Sequence, residues 1–120
     1  MNLEIEKYLI PMIKLVSCYT HLDITDPDKA IHLRLDADLL IYGQDAEDLL
    51  DDYAEKFKVK DGGFQFEKYL KRGNYFFFMP PMDSEKRISE LRIVHLVLGA
   101  IKGELSDELI MNYNKENNLE

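Results

Sequence analysis

Apolar residues recur every three or four positions over residues 3–19, and this spacing predicts a first amphipathic helix. The members of the stripe are Ile5, Tyr8, Leu9, Met12, Ile13, Val16 and Tyr19. Such spacing places the side chains on one helical face, where they can be buried together. Pro11 lies within the stripe and lacks the backbone N–H that a helix interior uses. The helix therefore either kinks at Pro11 or begins there.

A second amphipathic pattern predicts a helix over residues 45–57. Its apolar face consists of Ala46, Leu49, Leu50, Tyr53, Ala54 and Phe57. Its polar face carries six carboxylates, which are Asp45, Glu47, Asp48, Asp51, Asp52 and Glu55. The acids of the first turn and Lys56 near the end both oppose the helix dipole. Gly43 allows whatever turn precedes the helix.

The remaining segments predict shorter elements. Residues 21–34 lack periodicity and indicate a loop, with Leu22, Ile24 and Ile31 as its contacts to the core. Aromatic residues over 64–70 indicate a short helix or extended segment. Residues 75–79 and 90–94 are rich in apolar side chains near turn residues, which favours a pair of short antiparallel strands.

The end of the chain predicts two further helices. Residues 94–102 are strongly apolar and precede Gly103, the residue expected in a left-handed helix cap. Ser106 is a suitable N-cap for a last helical turn through Tyr113. The fold class is therefore mainly α within α+β: a small helix bundle with a two-stranded β accessory.

Size and composition agree with one globular domain. The chain has 120 residues, of which 46% are hydrophobic and 32% charged. A chain of this mass buries about two-thirds of its unfolded surface, so a core needs neither metal nor disulfide. We predict a single domain over residues 1–114, followed by a frayed polar tail over residues 115–120.

Negative charge is concentrated in one stretch. The net charge is -8, and residues 36–57 alone contain eight acids and one base, which sum to -7. Such charge repels nucleic-acid phosphates and anionic lipid. The longest apolar stretch, residues 93–101, is far shorter than the ~20 residues that span a bilayer. The lone Cys18 and the absence of a basic leader favour a reducing cytoplasm.

The sequence signals no cofactor or metal site. Asp36 and Asp38 begin a calcium-loop pattern, but Leu40 and Ile41 occupy its next ligand and glycine positions. Among the nitrogen and sulfur ligands of zinc, Cys18 has only His21 at helical spacing. This pair also lacks the orienting group and oxyanion hole that nucleophilic catalysis needs.

Two further features are better explained by the core than by chemistry. Seven of the thirteen aromatic residues lie between Phe64 and Phe78, beside several lysines. Stacking on nucleic-acid bases would use such a cluster, but the overall negative charge favours core packing. His32 is isolated, and His95 lies among aliphatic residues, which favours a satisfied buried or boundary histidine over a catalytic base.

The segment around the acidic helix resembles a known family. Asp38, Leu39, the run at 43–46 and the helix end at 55–59 are similar to the central segment of acyl carrier proteins. In that family a turn of Gly, any residue, Asp and Ser opens the second helix, and the serine receives phosphopantetheine. Residues 43–69 and 91–105 also resemble a family of short uncharacterised bacterial proteins of unknown function described as acyl-carrier-like, over about two-thirds of the chain. The resemblance implies an acyl-carrier-like bundle.

The resemblance fails at the attachment site. Depending on the alignment, the serine position holds Ala46 or Gly43, and no serine or threonine lies between Thr25 and Ser84. A chain that cannot carry the prosthetic thiol lacks the carrier reaction. Carriers are recognised by basic patches through their negative second helix, so the resemblance implies that docking can survive without loading.

We therefore expect a cytoplasmic, non-enzymatic, acyl-carrier-like adaptor or regulatory module without a cofactor. It would dock a basic partner protein, and neither nucleic acid nor membrane, through the six acids of the helix at 45–57. A small acidic immunity or inhibitor protein that neutralises a basic toxin is the first alternative. An atypical carrier in acyl metabolism is the second.

Overall fold

The computed structural model describes residues 3–35, 38–41, 43–62 and 91–117, and this part of the chain is mainly helical. Its helices are α1 (Leu3–Ser17), α2 (Pro27–Ala30), α3 (Gly43–Phe57), α4 (Ile93–Lys102) and α5 (Asp107–Glu116). Its two short strands are β1 (Lys60–Asp61) and β2 (Glu104–Leu105). The predicted mainly helical class is confirmed. The predicted segments at 64–70 and 75–79 lie outside the described residues.

Helix α1 continues through Pro11, so the alternative in which the helix begins at this proline is wrong. The residues that α1 buries are Leu9, Met12, Ile13, Leu15 and Val16. Ile5, Tyr8 and Tyr19 are partly buried against the same core. Burial of this stripe offsets the one hydrogen-bond donor that proline lacks.

The predicted loop at 21–34 contains α2, a single helical turn. The Asp26 side chain accepts a hydrogen bond from the Asp28 N–H over 3.1 Å, and Pro27 occupies the first helical position. Ile24 and Ile31 are buried as expected, but Leu22 is 48% exposed. The prediction that Leu22 holds this loop to the core is therefore wrong, because the chain turns its side chain outward.

Tyr53 ties the buried face of α3 to the backbone of α4. Its ring is 2% exposed, and its hydroxyl donates a hydrogen bond to the Leu96 carbonyl oxygen over 2.7 Å. A Cβ atom at Gly99 would lie 2.4 Å from this hydroxyl oxygen. The glycine therefore leaves the space that the tyrosine needs to reach the α4 backbone. Burial also raises the pKa of Tyr53 far above its ordinary value.

The described part of the predicted strand at 90–94, residues 91–94, does not form a strand. Arg92 forms one isolated antiparallel bridge with Arg34, and α4 begins at the next residue. The Leu35 N–H donates to the Leu91 oxygen over 2.9 Å, and the Ile93 N–H donates to the Leu33 oxygen over 3.0 Å. Leu91 and Ile93 are both fully buried. One extended residue, Arg92, followed directly by α4 is enough to bury both Leu91 and Ile93. Their alternation in the sequence therefore did not require a strand.

Helix α4 lies at the centre of the described fold, where it packs against α1, β2 and α5. It ends at Gly103, whose φ of 84° is left-handed, so the predicted cap is confirmed. None of the described helices, including this apolar one, is long and apolar enough to cross a membrane.

The observed strand pair differs from the predicted one. Strands β1 and β2 pair in parallel, with Lys60 opposite Glu104 and Asp61 opposite Leu105. The Lys60 N–H donates to the Gly103 oxygen over 2.9 Å. This short pair joins the segment after α3 to the segment after α4. Two residues per strand are too few for a periodic sequence signal.

Helix α5 begins at the predicted N-cap residue and extends past the predicted end. The Ser106 hydroxyl accepts a hydrogen bond from the Leu109 N–H over 3.1 Å, which confirms the predicted N-cap. The helix continues past Tyr113 to Glu116, and the Asn117 N–H donates to the Tyr113 oxygen over 3.0 Å. Lys115 and Glu116, the first residues of the predicted tail, are helical, and residues 118–120 lie outside the described residues.

The fit between Tyr53 and Gly99 predicts a coupled effect on stability. Gly99→Ala should destabilise the protein by about 1–3 kcal/mol through overpacking, despite the better helix propensity of alanine. Tyr53→Phe should cost about 1 kcal/mol for its lost hydrogen bond. In the Tyr53→Phe background Gly99→Ala should cost clearly less, because the clashing hydroxyl is gone. Urea unfolding of the four proteins measures this, and an equal cost of Gly99→Ala in both backgrounds would contradict it.

Candidate functional site

Aromatic and aliphatic side chains form the buried inner face of α3. Ala46, Leu49 and Tyr53 are buried there. The Phe57 ring lies 5.9 Å from the Tyr53 ring and 6.3 Å from the Tyr8 ring, measured between centroids. These contacts hold the helix with one face against the core, so the opposite face is directed to solvent.

The outer face of α3 carries the six predicted carboxylates, and we call this set the acidic face. Its exposed members are Asp45, Asp48, Asp51, Asp52 and Glu55, and its half-buried member is Glu47. Positions 45, 48, 52 and 55 are separated by three or four residues, so their side chains form one continuous stripe. The structure thus brings the predicted residues together on one exposed surface.

Two members of the acidic face are held by neighbouring side chains. The Asp48 carboxylate accepts a hydrogen bond from the Gln44 side-chain amide over 2.9 Å. The Asp52 carboxylate accepts one from the hydroxyl of Tyr19, which follows α1. Sequence reasoning missed this second contact, because 33 residues separate its partners.

The other exposed members have no such partner. Within the described residues, Asp45, Asp51 and Glu55 form no hydrogen bond or ion pair. Like charges three or four residues apart on a helix repel one another. The acidic face therefore carries unfavourable electrostatic energy, which a cationic surface would relieve.

The two candidate attachment positions lie at the beginning of α3. Ala46 is fully buried, and Gly43 is buried with a left-handed φ of 63°. Neither residue offers a hydroxyl.

The profile of a family described as a protein of unknown function, DUF1493, matches residues 2–107. The chain belongs to the DUF1493 family. No curated protein and no solved structure matches it. The match confirms the expected membership of a family of unknown function, and its description carries no acyl-carrier assignment. The DUF1493 match includes the whole acidic face and ends where α5 begins.

His95 is a structural group of this DUF1493 chain. It is fully buried, and its Nδ1 atom accepts a hydrogen bond from the Arg92 N–H over 2.9 Å. The ring proton must then lie on Nε2, which donates to the Asn114 side-chain oxygen over 2.9 Å. The imidazole thereby caps the beginning of α4 and joins α4 to α5, as expected of a satisfied buried histidine.

The other metal or nucleophile candidates stay apart. Cys18, His21 and His32 are all exposed, and the Cys18 thiol faces the Lys14 carbonyl oxygen at 3.5 Å. No group of three metal-ligating side chains occurs among the residues that the structure describes. The sequence pair Cys18 and His21 therefore gains no third ligand from the described fold.

A second surface feature lies between α4 and α5. It is an open groove of about 390 Å³. Its apolar lining is Leu98, Ile101, Leu109 and Tyr113, and its polar rim is Lys102, Glu108, Asn112 and Glu116. Sequence reasoning missed the groove, because it arises from two helices that each leave part of an apolar stripe uncovered.

The contact between Tyr19 and Asp52 predicts an alkaline titration. The pKa of Tyr19 is raised from 10.0 to about 12, chiefly by the hydrogen bond to Asp52 and further by partial burial and the charges of Asp52 and Asp48. Because the folded state holds the phenolic proton more tightly, this stabilisation is complete below pH 10 and is lost as pH rises through about 12.

Asp52→Asn should therefore return the pKa of Tyr19 towards 10.0, whereas Asp45→Asn should leave it raised, because Asp45 does not contact this phenol. Carbon NMR of labelled tyrosine rings measures the titration of the Tyr19 phenol directly in this DUF1493 chain. An unchanged Tyr19 titration in Asp52→Asn would show that the hydrogen bond is not its cause.

Proposed function

We propose that this chain is a non-enzymatic, acyl-carrier-like adaptor or regulatory module that docks a basic partner protein through its acidic face. The observation that carries the proposal is the concentration of charge: residues 36–57 sum to -7, and five carboxylates of α3 are exposed. An ordinary soluble surface mixes both signs of charge. A surface of one sign instead attracts a partner of the opposite sign.

The physical role of such a face is recognition. Complementary charge raises the association rate and excludes partners of the wrong sign, and it is weakened by salt. Asp45, Asp51 and Glu55 suit this role best, because within the described residues no hydrogen bond or ion pair engages them. A lysine or arginine of a partner would meet them without first breaking a contact inside the chain.

The beginning of α3 favours recognition over acyl transfer. A carrier needs an exposed hydroxyl there for phosphopantetheine, whereas Ala46 and Gly43 are buried and have none. The proposal therefore keeps the docking surface that the carrier resemblance implies and omits the loading reaction.

Charge reversal on the acidic face tests the proposal. Asp51→Lys with Glu55→Lys should weaken partner binding about tenfold or more at low salt, because it replaces attraction by repulsion. Neither carboxylate has a hydrogen bond inside the described structure, so folding should change little. The matched control is Glu6→Lys with Glu116→Lys, which changes net charge equally on the exposed ends of other helices.

The measurement is affinity capture of basic proteins from native lysate at low and high salt, with quantitative comparison of the variants. We expect captured proteins to be lost at high salt and in the α3 variant, and to be retained by the control. Capture that survives the α3 reversal would contradict the proposal, and so would equal loss in the control variant.

A further inference from the structure

Two exposed leucines lie beside the beginning of α3. Leu22 is 48% exposed and Leu40 is 64% exposed. The Thr20 hydroxyl joins their two segments, since it donates to the Leu39 carbonyl oxygen over 2.9 Å and accepts from the Leu22 N–H over 3.3 Å. The backbones that carry the leucines therefore meet at one side chain, and we call Leu22 and Leu40 the leucine pair.

The backbone of Leu40 is unfavourable for a leucine. Its φ of 59° lies in the left-handed region, which residues with a Cβ atom avoid. Glycine occupies two other left-handed positions, Gly43 and Gly103. Lys58 is also left-handed, but its positive charge directly after α3 opposes the dipole of that helix. Leu40 has neither the conformational freedom of glycine nor a charge that would interact favourably with a helix dipole.

Exposure removes the remaining structural reason for a leucine at this position. A side chain that is 64% exposed gains little from burial inside its own chain. Leu40 is therefore both strained and largely unburied, and asparagine or glycine would suit the fold better. An outlier of this kind indicates a role outside the fold itself.

The leucine pair borders the acidic face. Leu40 precedes Asp45 by five residues, and the neighbouring Ile41 is fully buried, which anchors the segment that leads into α3. On the other segment, Tyr19 bonds to Asp52 while Thr20 bonds to the Leu39 oxygen. The chain from Tyr19 to Leu22 is thus fixed to α3 and to the turn before it, so the backbones that carry the two exposed leucines lie next to the helix that carries the acidic face.

We propose that the leucine pair is the apolar anchor of the docking site and that its occupant is a basic amphipathic segment of a partner protein. This inference rests on the proposed function of the acidic face. Charge complementarity selects the occupant: lysine or arginine side chains meet the carboxylates, and an apolar side chain between them covers Leu22 and Leu40. A second copy of this chain would instead bring another acidic face into contact.

Two synthetic peptides with the same lysine content test the anchor. One carries leucines at the apolar positions of a helical pattern, and the other carries serines there. The wild-type protein should bind the leucine peptide about tenfold more tightly than the serine peptide at low salt. Leu22→Ser with Leu40→Asn should remove most of this difference and leave the salt dependence. Met111→Ser is the matched control, because Met111 is 43% exposed on α5.

Stability measurements separate binding from folding. Leu40→Asn should keep or raise the urea midpoint, because asparagine tolerates the left-handed backbone better than leucine. Weaker binding by a variant that is no less stable therefore supports the anchor. A lower urea midpoint in Leu40→Asn would overturn it, since the leucine would then serve the fold.

The remaining outcomes distinguish the two proposals. Equal, salt-dependent binding of both peptides would overturn the anchor and leave the acidic face as the docking site. Failure of both peptides to bind at low salt would overturn both proposals. Self-association of the wild type in sedimentation experiments, abolished by Leu40→Asn, would overturn the anchor by identifying a second copy as its occupant.

Discussion

The hydrogen bond from Tyr53 to the Leu96 carbonyl oxygen fixes how α3 lies on the rest of the fold. Apolar burial supplies most of the stabilisation, but it is non-directional and would tolerate small rotations of the helix. A buried hydroxyl must instead form a hydrogen bond with a specific acceptor. The absence of a side chain at Gly99 leaves the space in which the Tyr53 hydroxyl reaches that acceptor. With Tyr53 held inward, the opposite side of α3 is held outward. The exposure of the acidic face follows from this single constraint.

The outward face of α3 then carries closely spaced like charges that the fold itself does not need. Carboxylates at helical spacing repel one another, and Leu40 adds an unfavourable backbone with little burial. By contrast, both ring nitrogens of the buried His95 have hydrogen-bond partners. These bonds serve stability, whereas the like charges of α3 and the backbone of Leu40 carry a cost at the surface. A binding surface has this character, because its favourable contacts are made by a partner.

Local chemistry made the helices and their caps predictable. The period of α3, the glycine after α4 and the serine before α5 each act within a few residues. The strand at 90–94 was mispredicted because Leu91 and Ile93 alternate without forming a strand, and the pair of β1 and β2 was not foreseen because two-residue strands have no period. For the site, the acidic residues were readable from helical spacing alone. The bond from Tyr19 to Asp52 and the left-handed Leu40 were not, since both depend on how distant segments meet.

Residue-resolved NMR of the protein during titration with a short lysine peptide tests the docking face directly. We expect the largest amide shift changes at residues 45–55 and at Leu22 and Leu40, and we expect added salt to reverse them. Changes distributed over all exposed acids, including Glu6 and Glu116, would contradict a dedicated docking face. Changes centred on the groove between α4 and α5 would contradict it equally.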